Sequence, residues 1–172
     1  MKFEKLTNLI KNEELLNKEI EFHLNKKNIT KIEKDVFAIK GHMEKAKHNL
    51  EFINTLNESK FPDWILVGCY YAVYQSALSL MINKGFFSKN HDATLCVLIK
   101  EYLKRELDEE DITLLNNSKL ENEDLLIYIN SKEEREKASY STQILFDKKT
   151  IAEFKKKAIV FVNKCGEILK NF

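Results

Sequence analysis

The longest apolar stretch of the chain runs from Pro62 to Gly85, and no charged residue occurs between Ile65 and Ile82. A helix on a protein surface has one apolar stripe, whereas this stretch is apolar or small almost all round, so the pattern predicts a central, buried helix. Pro62 suits the first turn of that helix, because proline lacks an N–H, and Gly85 suits its C-terminal stop. Three tyrosines, a glutamine and two serines within the stretch disfavour a membrane span.

Apolar residues recur at helical spacing on both sides of this stretch. One helix is predicted over residues 2–24 and a second from a cap at 28–30 to residue 56. Behind the central helix, the pattern predicts helices over 89–107 and 121–138, a short acidic helical turn at 108–115, and a last helix capped by Thr150 and Glu153. One proline and four glycines among 172 residues also favour long helices with short connections.

The predicted fold class is therefore all-α, a bundle of five long helices plus a short one. The length suits a single domain over residues 1–172, with residues 1–30 as an N-terminal extension helix and 31–172 as the core. Three cysteines, Cys69, Cys96 and Cys165, lie within apolar helical patterns and are predicted to be buried thiols. The charged, amphipathic N-terminus lacks a signal-peptide core, so a cytoplasmic location is expected.

The charges nearly balance, with 28 Lys+Arg against 27 Asp+Glu, so no overall basic field indicates a nucleic-acid binder. No spacing of histidines and cysteines suggests a metal site, and no cofactor motif occurs. The acidic run from Asp108 to Asp111 is interpreted as a complement to a helix dipole rather than as metal ligands.

Two places nevertheless offer candidate binding chemistry. Lys132, Arg135 and Ser139 are spaced to share one side of the predicted fifth helix, and arginine is the residue best suited to bidentate phosphate contacts. Lys89 and His91 stand at the start of the fourth helix, where free N–H groups can bind an anion. The alternative for His91, a structural histidine that fixes the turn at Ser88, is the favoured interpretation.

Several of these residues resemble the signature of HEPN domains, which are small helical domains that often act as ribonucleases or toxins. The resemblance rests on the central run 70–74 (Tyr-Tyr-Ala-Val-Tyr) with Ala77-Leu78 and Gly85, and on Ser88-x-x-His91. Glu44-x-Ala46-x-x-x-Leu50 upstream and Arg135-x-x-Ala138-Ser139-Tyr140 downstream resemble the flanking helices. The similarity extends from about Met43 to the C-terminus.

The resemblance implies a specific catalytic pattern, in which an arginine is followed four to six residues later by a histidine. Metal-free RNA cleavage needs a cation for the phosphate and a group that titrates near neutral pH. Here Arg135 is present, but Tyr140 stands where the histidine is expected, and its ordinary pKa near 10 makes it a poor base. Residues five apart on a continuous helix also point about 140° apart, although a two-fold dimer can bring two copies of the segment together.

Two functions therefore stay open, and whether the protein is an enzyme is undecided. The first is a dimeric module that binds a nucleotide or RNA, or acts as a regulator, through Arg135, Lys132 and Ser139. The second is a metal-independent ribonuclease toxin that uses Tyr140 or His91 in place of the missing histidine. The resemblance further implies homodimers and, for some relatives, a nucleotidyltransferase as the partner in a toxin–antitoxin pair. Phe37, Phe52 and Phe61 are left over once one apolar seam per helix is assigned, which also favours a homodimer. For Phe37 and Phe52 the alternative is a wider buried face of the second helix.

Overall fold

The computed structural model describes residues 1–58, 60–118 and 148–170. The helices are α1 (Phe3–Lys11), α2 (Glu13–Asn25), α3 (Val36–Thr55), α4 (Pro62–Asn83), α5 (His91–Tyr102), α6 (109–118) and α7 (Lys148–Lys170). Two short strands, β1 (Ile29–Lys31) and β2 (Phe86–Ser88), pair in an antiparallel ribbon. The predicted all-α bundle is confirmed, and the helix predicted over 121–138 lies outside the described residues.

Helix α4 is the central element, as its lack of charge predicted. It packs along α3 on one side and α7 on the other, and a single hydrophobic core extends through all the helices. Gly68 makes the α3–α4 contact possible, because a Cβ at this position would lie 2.2 Å from Cγ2 of Ile53. By length and composition α4 could cross a membrane, yet 72% of its most apolar window is buried within the protein. The three cysteines are buried, as predicted.

The N-terminal segment differs from the prediction, because the helix expected over residues 2–24 is two helices. Asn12 ends α1, and its side-chain oxygen accepts a hydrogen bond from the backbone N–H of Leu15 at 2.9 Å, which caps α2. Leu6 and Leu9 of α1 and Leu16 and Ile20 of α2 are buried in the core, and both helices contact α5. Periodicity alone missed the break because both halves keep helical spacing.

The ribbon between α2 and α3 was also not predicted. Residues 28–30 were expected to cap the second helix, but Ile29 pairs with Ser88 and is buried in a strand, and Asp35 caps α3 through Ala38 N–H instead. A three-residue strand is too short to show an alternating pattern. Helix α5 is likewise shorter than the predicted 89–107, since it ends at Tyr102.

The acidic run from Asp108 forms a reciprocal cap on α6. The carboxylate of Asp108 accepts a hydrogen bond from the backbone N–H of Asp111 at 3.0 Å. In return, the carboxylate of Asp111 accepts one from the backbone N–H of Asp108 at 3.0 Å. Lys164 of α7 donates to both carboxylates, which ties α6 to α7. The cap predicted at Thr150 is wrong, because Thr150 already lies within α7.

Candidate functional site

A cluster of polar aromatic groups lies between α4 and the start of α5. Tyr70 and Tyr74 are one helical turn apart on α4, and their rings stack with centroids 5.8 Å apart and an interplanar angle of 6°. The imidazole of His91 stacks on both rings, with its centroid 5.4 Å from that of Tyr74 and 6.2 Å from that of Tyr70. Three flat rings therefore hold one another in a fixed orientation.

The hydrogen bonds of His91 fix it further. Its Nε2 lies 3.0 Å from the carbonyl oxygen of Leu115 in α6, so Nε2 carries the proton that it donates. The same carbonyl accepts a hydrogen bond from the hydroxyl of Ser118 at 2.7 Å. Only 6% of the His91 surface is exposed. The ring therefore joins α4, α5 and α6.

The start of α5 does not present an open anion site. Asn90 caps the helix by accepting a hydrogen bond from Ala93 N–H at 3.0 Å, and Ser88 exchanges two hydrogen bonds with the backbone of Asn90. Lys89 is exposed and places its ammonium 5.9 Å from the ring centroid of Phe87, whereas His91 points inward. The structure does not bring Lys89 and His91 together, and this geometry favours the structural interpretation of His91.

The other candidate residues, Lys132, Arg135, Ser139 and Tyr140, lie outside the described residues. In sequence they lie between Ser118, three residues after Leu115, and Lys148 at the start of α7. A cleft of about 360 Å³ separates α6 from the first turns of α7. Its lining includes three carboxylates, Glu109, Glu110 and Glu153, against Lys157, so this cleft does not suit a phosphate.

Sequence reasoning missed a second buried histidine. The Nδ1 of His23 in α2 accepts a hydrogen bond from the side-chain amide of Asn28 at 3.0 Å, and its Nε2 lies 3.4 Å from Glu19. Burial lowers the pKa of His23, although the nearby Glu19 carboxylate opposes the shift. Its helical spacing with Leu16 and Ile20 was the available signal. No group of three or more potential metal ligands occurs within the described ranges.

The comparison with protein families decides the broad identity of the fold. Residues 39–168 match the HEPN domain family, which covers three quarters of the chain. The protein belongs to the HEPN family. The match includes the tyrosine–histidine stack of α4 and α5 and the segment that carries Arg135, and the extra helices α1 and α2 precede it.

One curated relative of this HEPN protein is the protein named Putative toxin MJ0142, from Methanocaldococcus jannaschii. The two chains are 29% identical over 128 residues, which is 74% of this chain and 78% of the relative. No solved structure matches the chain significantly. The HEPN assignment therefore rests on the sequence family and on the helical fold.

Proposed function

We propose that this HEPN protein is the toxin-type component of a two-protein system and acts by binding RNA, with Arg135 as the main phosphate anchor and without efficient cleavage. Lys132 and Ser139, at helical spacing from Arg135, would supply a second cation and a hydroxyl to the same backbone. The family match and the toxin relative support the class of function. Arg135 supports the ligand class, because its guanidinium can bind a phosphate through two hydrogen bonds.

The fixed position of His91 is the observation that favours RNA binding over RNA cleavage. A general base must be able to reach the proton that it removes and to exchange it. Nε2 of His91 is committed to the Leu115 carbonyl, and the ring is buried between Tyr74 and α6. That leaves Tyr140, which occupies the position where the resemblance to HEPN ribonucleases implies a histidine. An ordinary tyrosine is protonated at neutral pH and is a poor base.

An active ribonuclease is the second candidate, because the relative is named as a toxin. Cleavage would require that Tyr140 has a strongly lowered pKa or that a dimer brings another base to Arg135. Either arrangement would be metal-independent. A two-fold dimer would place two Arg135 side chains in one cleft, and a nucleotidyltransferase-type protein is the partner expected for such a toxin.

The test compares RNA binding with RNA cleavage in EDTA, using a labelled RNA of mixed sequence. We expect wild type to bind and to cleave little, and Arg135→Ala to weaken binding by about 10- to 100-fold, the equivalent of about 1.5–3 kcal/mol for a charge-assisted contact. Arg135→Lys should recover only part of the affinity. Tyr140→Phe should change little, whereas Tyr140→His installs the missing titratable group and should raise cleavage near neutral pH.

Arg105→Ala is the matched control, because Arg105 is the other arginine of the chain and is exposed in the turn after α5. Robust wild-type cleavage that is lost in both Arg135→Ala and Tyr140→Phe would replace the binding function with the ribonuclease. RNA affinity that is the same in wild type and Arg135→Ala, together with no cleavage by either, would contradict both candidates.

A further inference from the structure

A groove runs between the first half of α3 and the second half of α7, beside the C-terminal end of α4. Its volume is about 430 Å³. The floor is apolar: Val36, Ile39 and Met43 come from α3, and Val162 and Leu169 come from α7. Met43 approaches α7 closely at Gly166, where its Cε lies 3.7 Å from the position of a Cβ.

The rim of this groove is basic. Lys34, Lys40 and Lys47 line it from the α3 side and Lys170 from α7, against one carboxylate, Glu167. That carboxylate is already paired with Lys170 at 2.6 Å. Lys40 and Lys47 form no ion pair with any described residue, and both are exposed. Lys40 and Lys47 therefore add positive charge to the rim, in a protein whose net charge is only +1.

The groove has the dimensions and spacing of a helix-binding site. From residue 36 to residue 47, α3 extends for about 17 Å, which is about three helical turns. The floor residues of α3 recur at intervals of three and four, and those of α7, Val162 and Leu169, lie two turns apart on one helix face, so the floor can receive a row of side chains with helical spacing. At the open end, Val36 is 52% exposed and Phe37 is 90% exposed, so apolar surface continues outward from the groove.

We propose that this groove binds an acidic amphipathic helix of a partner protein, with aliphatic side chains on the floor and carboxylates beside Lys40 and Lys47. The complementarity of charge and the periodic apolar floor carry the proposal. RNA is a poorer fit, because the floor is aliphatic and bases stack on aromatic or guanidinium surfaces. The proposal concerns protein partners and does not rest on the RNA-binding function of Arg135.

The test uses a synthetic fluorescent 15-residue peptide with leucines at helical spacing and glutamates at the flanking positions. Fluorescence anisotropy measures its affinity for the full chain, and a scrambled peptide of the same composition is the ligand control. We expect the amphipathic peptide to bind at least about tenfold more tightly than the scrambled one. Lys40→Glu and Lys47→Glu should each weaken binding by about fivefold or more, since each reverses a rim charge.

Lys45→Glu is the matched protein control, because Lys45 is an exposed lysine of the same helix that does not line the groove. It should leave the affinity unchanged, whereas Val36→Ser should weaken binding by about threefold through loss of apolar contact. Equal affinity for both peptides, or equal effects of all three lysine reversals, would overturn the proposal. Tighter binding of a 15-nucleotide RNA or of a fatty acid that depends on Lys40 and Lys47 would assign the groove to that ligand instead.

Discussion

His91 shows how a polar residue can look functional in the sequence and serve the fold. Its place in the first turn of α5 suits anion binding, but helix N-termini are usually completed by their own caps. Here Asn90 occupies that role, and His91 instead connects two tyrosines of α4 to a carbonyl of α6. Neither the stacking of His91 on the tyrosines nor its hydrogen bond to the Leu115 carbonyl could be predicted, because both join helices that are distant in sequence.

Gly68 gives a sharp prediction at the same scale. Gly68→Ala should destabilise the protein by about 1–3 kcal/mol, because its Cβ would lie 2.2 Å from Ile53 in a packed core, and Gly68→Leu should cost more. Chemical denaturation followed by circular dichroism measures the change.

Gly41→Ala is the matched control for Gly68. Gly41 lies within α3, and a Cβ there would meet nothing within 4 Å. The substitution should stabilise the protein by about 0.5–1 kcal/mol through the higher helix propensity of alanine. If both alanine variants melt alike, the α3–α4 contact is looser than the structure describes.

At the scale of elements, the helices that the sequence predicts best are those with an unmistakable apolar pattern. The absence of charge from Ile65 to Ile82 was enough to place α4 at the centre. Boundaries depend on capping by single side chains, and for that reason the break at Asn12 and the start of α3 at Asp35 were missed. Of the predicted site residues, His91 and Lys89 lie apart, and the roles of Arg135 and Tyr140 remain predictions.

The link between α6 and α7 should make stability depend on acid pH. The hydrogen bond from Lys164, followed by those from backbone N–H groups, lowers the pKa of Asp108 below its usual value, while partial burial opposes the shift. A carboxylate with a lowered folded-state pKa stabilises the fold above its unfolded pKa of about 3.9, and that contribution is lost as the pH falls further.

Lys164→Met tests this link while keeping an aliphatic chain of similar length. We expect a loss of about 1–2 kcal/mol at pH 7, because Asp111 is largely buried and loses its charged donor. The further loss of stability between pH 5 and pH 3 should be smaller in the variant than in wild type. Lys156→Met, at an exposed position of the same helix, should behave like wild type. An unchanged pH profile in Lys164→Met would contradict the assignment.

At the scale of the whole molecule, the exposed aromatic residues of α3 and α4 favour a homodimer. Phe52, Phe61, Trp64 and Tyr71 are each between 42% and 49% exposed, and Phe52 contacts the Gly68 position between the two helices. We call these four residues, which lie on α3, on α4 and at the N-cap of α4, the aromatic strip; exposed aromatic side chains are enriched at protein interfaces.

Light scattering after size exclusion at micromolar concentration should give about twice the 20.2 kDa chain mass. Trp64→Ser should shift the population towards monomer, because it removes the largest ring of the strip. Phe3→Ser is the control, since Phe3 is an exposed aromatic residue on α1, away from α3 and α4. A wild-type monomer would contradict both the dimer and the shared Arg135 cleft.

The three buried thiols also make the opening of individual helices measurable by cysteine alkylation. Cys69, Cys96 and Cys165 lie on α4, α5 and α7, and burial raises the pKa of Cys96 to about 12 and that of Cys165 further. A thiol reagent attacks only the thiolate, so the folded core resists modification until a helix detaches. The rate at which each cysteine is alkylated therefore reports when its own helix leaves the core, without any engineered label.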